Sequence, residues 1–129
     1  MWRDYFHNAN IYGADIDKEI LFTEDKIKTY FVNQLDTETI KSMWNNIGLK
    51  DFDIIIDDGL HEVDANLKFF YNSFDKLKKN GIYVIEDVKL FDLNTFSKKL
   101  RDFNPEIIVL DTKNTNDYIN NNLVVIRKK

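Results

Sequence analysis

The stretch Phe52–His61, FDIIIDDGLH, decides how the rest of the chain is read. Its first half is a short apolar run, Ile54-Ile55-Ile56, and a continuous run of this kind indicates a strand covered on both faces, as in a parallel sheet. Its second half sets two aspartates, a glycine and one of the chain's two histidines at the end of that strand. These residues alone leave two readings open. One is an acidic turn with a helix cap; the other is a strand that delivers a metal or proton-transfer site to a sheet edge.

Moving outward, NIYGADI (Asn10–Ile16), IKTYFVN (Ile27–Asn33) and IYVIED (Ile82–Asp87) also read as strands. Ile40, Met43, Trp44 and Ile47 mark one face of a helix, with Asp36 or Thr37 as its cap. Val63, Leu67, Phe70, Phe74 and Leu77 lie on another helical face, which the Asn80-Gly81 pair is expected to end. A further helix is expected around Asn94–Arg101. EIIVLD (Glu106–Asp111) and NLVVIRKK (Asn122–Lys129) then read as an antiparallel pair, joined by the polar tract Asn114–Asn122. Strands alternating with helices predict an α/β fold with a mostly parallel sheet and a C-terminal antiparallel strand pair.

Composition narrows the function. The 129 residues suit one domain, 43% are apolar, and the net charge of -4 with no basic stripe argues against nucleic acid as a partner. No cysteine is present, which excludes disulfides, thiolate zinc sites and cysteine nucleophiles. There is no signal-peptide pattern and no apolar run of membrane-spanning length, so a cytoplasmic protein without a membrane partner is expected.

Ligands of open α/β sheets bind beyond the carboxyl ends of the strands. Here those ends carry Asp15, then Asn33 and Gln34, then Asp57, Asp58 and His61, then Glu86 and Asp87. Asp58, Glu86 and Asp87 at the ends of neighbouring strands would repel one another unless a cation neutralises them, and oxygen-only ligands suit Mg²⁺. His61 faces the same crevice and is the candidate general base. Asp15 stands where nucleotide-binding folds hold ribose hydroxyls, and Asn33 and Gln34 are candidates for an adenine edge. His7 has no such context and reads as structural or exposed.

IYGADID, VNQLD, FDIIIDDGLHE and NGIYVIEDV, in that order and spacing, resemble the class I S-adenosylmethionine-dependent methyltransferases. The likeness is greatest to the metal-dependent sugar O-methyltransferases of macrolide biosynthesis (the mycinamicin and macrocin type) and to the related cephalosporin hydroxylase-like proteins. It implies a Rossmann-like methyltransferase sandwich and two cofactors, S-adenosylmethionine and Mg²⁺. It also implies metal ligation by Asp58, Glu86 and Asp87, proton abstraction by His61, and cofactor contacts from Asp15, Asn33 and Gln34. The acceptor would be a small sugar-like molecule, and the resemblance allows a homo-oligomer.

Three departures stand out. Leu60 replaces a serine usual beside the histidine, and Val32-Asn33-Gln34 replaces Gly-Asp-Gln. The family's first, central strand and its Gly-rich loop have no counterpart in a chain with only four glycines. Residues 1–129 are therefore expected to form a single, N-terminally truncated methyltransferase domain. The strands at Asn10–Ile16 and Phe52–Asp57 would then face each other across a gap or pair directly. Two other readings accompany this one: a degenerate, non-catalytic domain that binds a metal or a partner protein, and another carboxylate–Mg²⁺ enzyme. No P-loop pattern supports the latter.

Overall fold

The structure, a computed structural model, describes residues 2–109 and 121–129. Within these, a short helix α1 (Trp2–Tyr5) precedes strand β1 (Ile11–Asp15), followed by β2 (Thr23–Glu24) and β3 (Ile27–Phe31). Helix α2 (Thr37–Ile47) leads to β4 (Phe52–Asp57), and α3 (Val63–Ser73) leads to the long β5 (Leu77–Val88). Helix α4 (Leu93–Lys99) and the strands β6 (Glu106–Ile108) and β7 (Asn122–Arg127) complete the order. The polar tract expected as a loop lies, apart from its last two residues, outside the described residues.

The strands form two sheets, in the orders β1-β3-β2 and β4-β5-β7-β6. β1 runs parallel to β3 and β4 parallel to β5, whereas β7 is antiparallel to both β5 and β6. The expected C-terminal antiparallel pair is therefore present. Of the two outcomes expected for the strands at Asn10–Ile16 and Phe52–Asp57, the gap is the one found. Among the described residues, no strand pairs with the outer edge of β1 or of β4.

Local sequence explains the helices. Asp36 caps α2 by accepting the Glu38 N–H at 2.9 Å, and Gly48 ends that helix in the left-handed region at φ 68°. Ile40, Met43 and Trp44 of α2, Leu67 and Phe70 of α3, and Leu93 and Phe96 of α4 all enter one core with Ile55, Tyr83, Ile85, Val124 and Ile126. Phe70 is fully buried and meets Phe74, Tyr83 and Phe103 ring to ring at 4.9–5.0 Å.

That core uses only one face of the four-stranded sheet. Pairing places Ile54 beside Ile82, and Ile56 beside Val84 and Val125, on the opposite face. Ile55 is 7% exposed while its neighbour Ile54 is 44% exposed. Cover on both faces, as the isoleucine run suggested, is thus corrected: α2, α3 and α4 all pack on the same side.

Two further corrections concern length. The helical face expected to reach Leu77 stops at Ser73, and after a 3-10 turn Leu77 already pairs with Phe52 as the first residue of β5. Asn80-Gly81 does not end a helix but sits inside β5, where the register with β4 shifts between Phe52 and Ile54. Asn80 takes φ 65° there, and its N–H is held by the Lys128 carbonyl at 2.7 Å. The two-residue β2 was missed, because a hairpin turned through Asp25-Lys26 lacks the glycine or asparagine that marks such turns.

Candidate metal and proton-transfer site

The carboxyl ends of β4 and β5 lie side by side because the two strands are parallel and in register at Asp57 and Ile85. Asp58, His61 and Asp87 meet there, each offering one ligand atom within 4.8 Å of the others. His61 Nε2 stands 4.0 Å from Asp58 Oδ1. The Nδ1 atom of His61 is shielded from solvent and has no hydrogen-bond partner among the described residues. Both His61 (φ 55°) and Asp87 (φ 50°) adopt left-handed backbone. Non-glycine residues take this region at a cost, of order 1 kcal/mol each, that is concentrated at functional sites.

Glu86 lies beside this cluster. Its carboxyl is pushed above the usual range by burial first, then by the negative charges of Asp58 and Asp87. A carboxyl placed beside two other carboxylates in this way carries the electrostatic signature of a cation site.

Asp57, the other aspartate of the pair, points inward. It accepts the Asn66 amide at 3.1 Å and the Gln34 amide, and also bonds the Gly59 N–H. Burial outweighs these bonds and pushes its carboxyl up. Beneath it the buried Tyr83 hydroxyl is pushed well up, by burial and then by the Asp57 charge. The turn-and-cap alternative is only half realised. Asp57 closes a turn, but α3 takes Glu62 as its N-cap residue and has no side-chain cap.

Gln34 reaches this turn from the other sheet. Its Oε1 accepts the Leu60 N–H at 2.7 Å while its Nε2 donates to Asp57. A Cβ on Gly59 would collide with the Gln34 amide, so a larger residue there would push that amide out of its place. Both the oxygen and the nitrogen of the Gln34 side-chain amide are thereby engaged within the protein, an anchoring arrangement that sequence reasoning missed. The signal available was the pair of polar residues closing β3 opposite the buried Asp57.

Asp15 and Asn33 end β1 and β3 on the same side of the molecule. Asp15 Oδ1 accepts the Asp17 N–H at 2.8 Å, and Asn33 Oδ1 accepts the Leu35 N–H at 3.0 Å. Leu35, Leu60, Leu90 and Phe91 are exposed on the segments that follow β3, β4 and β5, Phe91 by 72%. Among the described residues, no helix is long and apolar enough to cross a membrane.

No protein-family model matches the chain. It is 33% identical over 89 residues to the 8-demethyl-8-alpha-L-rhamnosyl tetracenomycin-C 2'-O-methyltransferase of Streptomyces olivaceus, covering 69% of this chain and 23% of that protein. It is 35% identical over 88 residues to the demethylmacrocin O-methyltransferase of Streptomyces fradiae (68% and 22%). It is likewise 35% identical over 89 residues to the mycinamicin VI 2''-O-methyltransferase of Micromonospora griseorubida (68% and 22%). The chain thus spans less than a quarter of the length of the curated relatives it matches.

Among solved structures, the MycE methyltransferase of the mycinamycin biosynthetic pathway, in complex with Mg and SAH, superposes with a TM-score of 0.71 at 25% identity. The match covers 99% of this chain and 39% of that one. A TehB-like SAM-dependent methyltransferase from Corynebacterium glutamicum matches in fold, with a TM-score of 0.60 at 17% identity over 93% of this chain and 68% of that one. The chain has the Rossmann-like fold of the class I S-adenosylmethionine-dependent methyltransferases, and its relatives among them are the sugar O-methyltransferases of the macrocin and mycinamicin type.

Proposed function

We propose that residues 1–129 form a single domain, or the part of one, of an S-adenosylmethionine-dependent, Mg²⁺-assisted O-methyltransferase acting on a hydroxyl of a sugar or similar polyol. The observation that carries this reading is the convergence of Asp58, His61 and Asp87 within 4.8 Å, with Glu86 beside them. The donor set fits a hard divalent ion: the converging carboxylates of Asp58 and Asp87, with Glu86 beside them and raised by burial and then by their two charges. Asp58, Glu86 and Asp87 would hold the metal. Bound there, Mg²⁺ supplies Lewis acidity that makes a nearby acceptor hydroxyl more acidic.

His61 is the base in this reading. Imidazole nitrogen is a poorer ligand than carboxylate oxygen for Mg²⁺, which leaves His61 for proton transfer. Asp58, 4.0 Å from Nε2, would stabilise the imidazolium once His61 has taken the acceptor's proton. His61 adopts left-handed backbone, and its ring lies beside Asp58. Gln34, by holding the Leu60 N–H and Asp57, fixes the turn from which Asp58 and His61 project.

S-adenosylmethionine supplies the electrophilic methyl group. Asp15 would bind its ribose, oriented by the Asp17 N–H, and Asn33 would lie near its adenine. Gln34 would contribute to that site through its position between the two sheets, since its amide is already engaged.

Calorimetric titration with S-adenosylmethionine in the presence of Mg²⁺ tests the proposal on this chain. Saturable heat that is lost in Asp15→Ala is the expected result, and no heat from a folded sample would overturn it. The open edge of β1 favours one other reading, a non-catalytic domain that keeps the metal site alone. That reading predicts metal binding without cofactor heat.

A further inference from the structure

Two residues between β3 and α2 grip the turn that carries Asp58 and His61 at three points. The Gln34 amide bonds Asp57 at the end of β4 and the Leu60 N–H within the turn. The Leu35 carbonyl accepts the Lys68 ammonium at 2.7 Å, from the second turn of α3. Strand end, turn backbone and helix are thus each tied to Gln34 or Leu35. Asp58 and His61 lie in sequence between those ties.

The gripping segment is itself fixed. Asn33 Oδ1 accepts the Leu35 N–H at 3.0 Å, and the Asn33 carbonyl accepts the Asp36 N–H at 2.9 Å. The Thr39 hydroxyl of α2 accepts the Asn33 N–H and donates to the Asn33 carbonyl, both at 3.0 Å. The fit against the turn is close as well. Gly59, next to Asp58, lies so near the Gln34 amide that a Cβ there would collide with it. Asp87, by contrast, is carried by β5, which is locked to β4 at Asp57 and Ile85. The spacing from Asp58 to Asp87 therefore depends on how the turn leaves β4, and not on the sheet alone.

We infer that Gln34 and Lys68 are positioning residues of the metal site. By clamping the turn they set the place of Asp58 relative to Asp87, and so the affinity for a divalent ion. The inference rests on the metal site proposed above and adds to it two residues outside the Asp58, His61 and Asp87 cluster. Supports of this kind hold ligand groups at productive spacing, and the ligands alone do not fix it. For Lys68 the sign separates support from charge. An ammonium acting only through its charge opposes cation binding, so its loss would strengthen binding. An ammonium acting as a clamp weakens binding when it is lost.

Calorimetric titration of the full chain with magnesium chloride, well below its melting temperature, reads the affinity. Gln34→Ala is expected to weaken Mg²⁺ binding by about tenfold or more. Lys68→Met is expected to weaken it by about threefold or more. Gly59→Ala should weaken it about as much as Gln34→Ala, because the new methyl displaces the amide. It should add nothing in the Gln34→Ala background, where the methyl has room. Ser73→Ala breaks the buried bond to Trp44 at the far end of α3, which lowers stability without touching the clamp. Its Mg²⁺ affinity should equal that of wild type.

Wild-type affinity in Gln34→Ala would overturn the inference and leave the metal site standing. So would tighter binding in Lys68→Met, equal weakening in Ser73→Ala, or full additivity of Gly59→Ala with Gln34→Ala. No Mg²⁺ heat from a folded wild type would sink the metal site and this inference with it. If Gln34→Ala does not fold, Lys68→Met and Gly59→Ala decide the matter by the same titration.

Discussion

Ile54 and Ile55 are chemically identical neighbours in one strand, yet one is 44% exposed and the other 7%. The face that carries Ile55 meets three helices and holds a continuous core. The face that carries Ile54, with Ile82, Val84 and Val125, meets none among the described residues. Apolar sequence thus specifies what a strand can bury, and the packing of other elements decides which side is buried. Stability should therefore reside almost wholly on the helical face, and that asymmetry can be tested residue by residue.

The largest expected effect is at Phe70, fully buried among four other rings. Phe70→Ala should destabilise the fold by about 3–5 kcal/mol in denaturant melts. Ile55→Ala should cost about 2–4 kcal/mol, against less than ~1 kcal/mol for Ile54→Ala. Equal costs at the two isoleucines would break the comparison. Gln34→Ala, which severs one link between the sheets and leaves Asp57 short of a partner, should cost about 1–3 kcal/mol by the same melts. Asp36→Ala should cost about 1 kcal/mol, because α2 uses its side-chain cap whereas α3 starts without one.

The smallest effect is a pH dependence from the buried Asp57. Its pKa is raised in the folded state, so the folded chain binds more protons than the unfolded one just above the ordinary carboxylate range. Stability contributed by this group is therefore lost as pH rises through that window, and is constant above it. Asp57→Asn should flatten that segment of the stability–pH curve. An unchanged slope would show that the hydrogen bonds from Asn66 and Gln34 fully offset burial.

Much of this was legible in the sequence, for reasons that show where the rest was hidden. The helical face of α2 and its Asp36 cap are local patterns, as are β1, β3, β4 and the run Ile82–Asp87. Strand ends can be read for the same reason, so Asp58, His61 and Asp87, which converge in the fold, are legible as candidates in the sequence. The one-sided cover of β4 is a property of tertiary packing and leaves no mark in three consecutive isoleucines. The early start of β5 at Leu77 was masked because Phe74 and Leu77 continue the helical spacing, while pairing with Phe52 decides the matter. Gln34 read as a ligand residue because its partners, Asp57 and Leu60, are distant in sequence and come from the other sheet.

Thermal melts of the wild-type chain and of Asp58→Asn, each with and without millimolar Mg²⁺, test most directly the proposal that the acidic cluster at the ends of β4 and β5 holds a divalent ion. Binding to the folded state alone raises the melting temperature, so wild type should shift upward with Mg²⁺ while Asp58→Asn does not. Coincident melts of wild type with and without Mg²⁺ would contradict the claim.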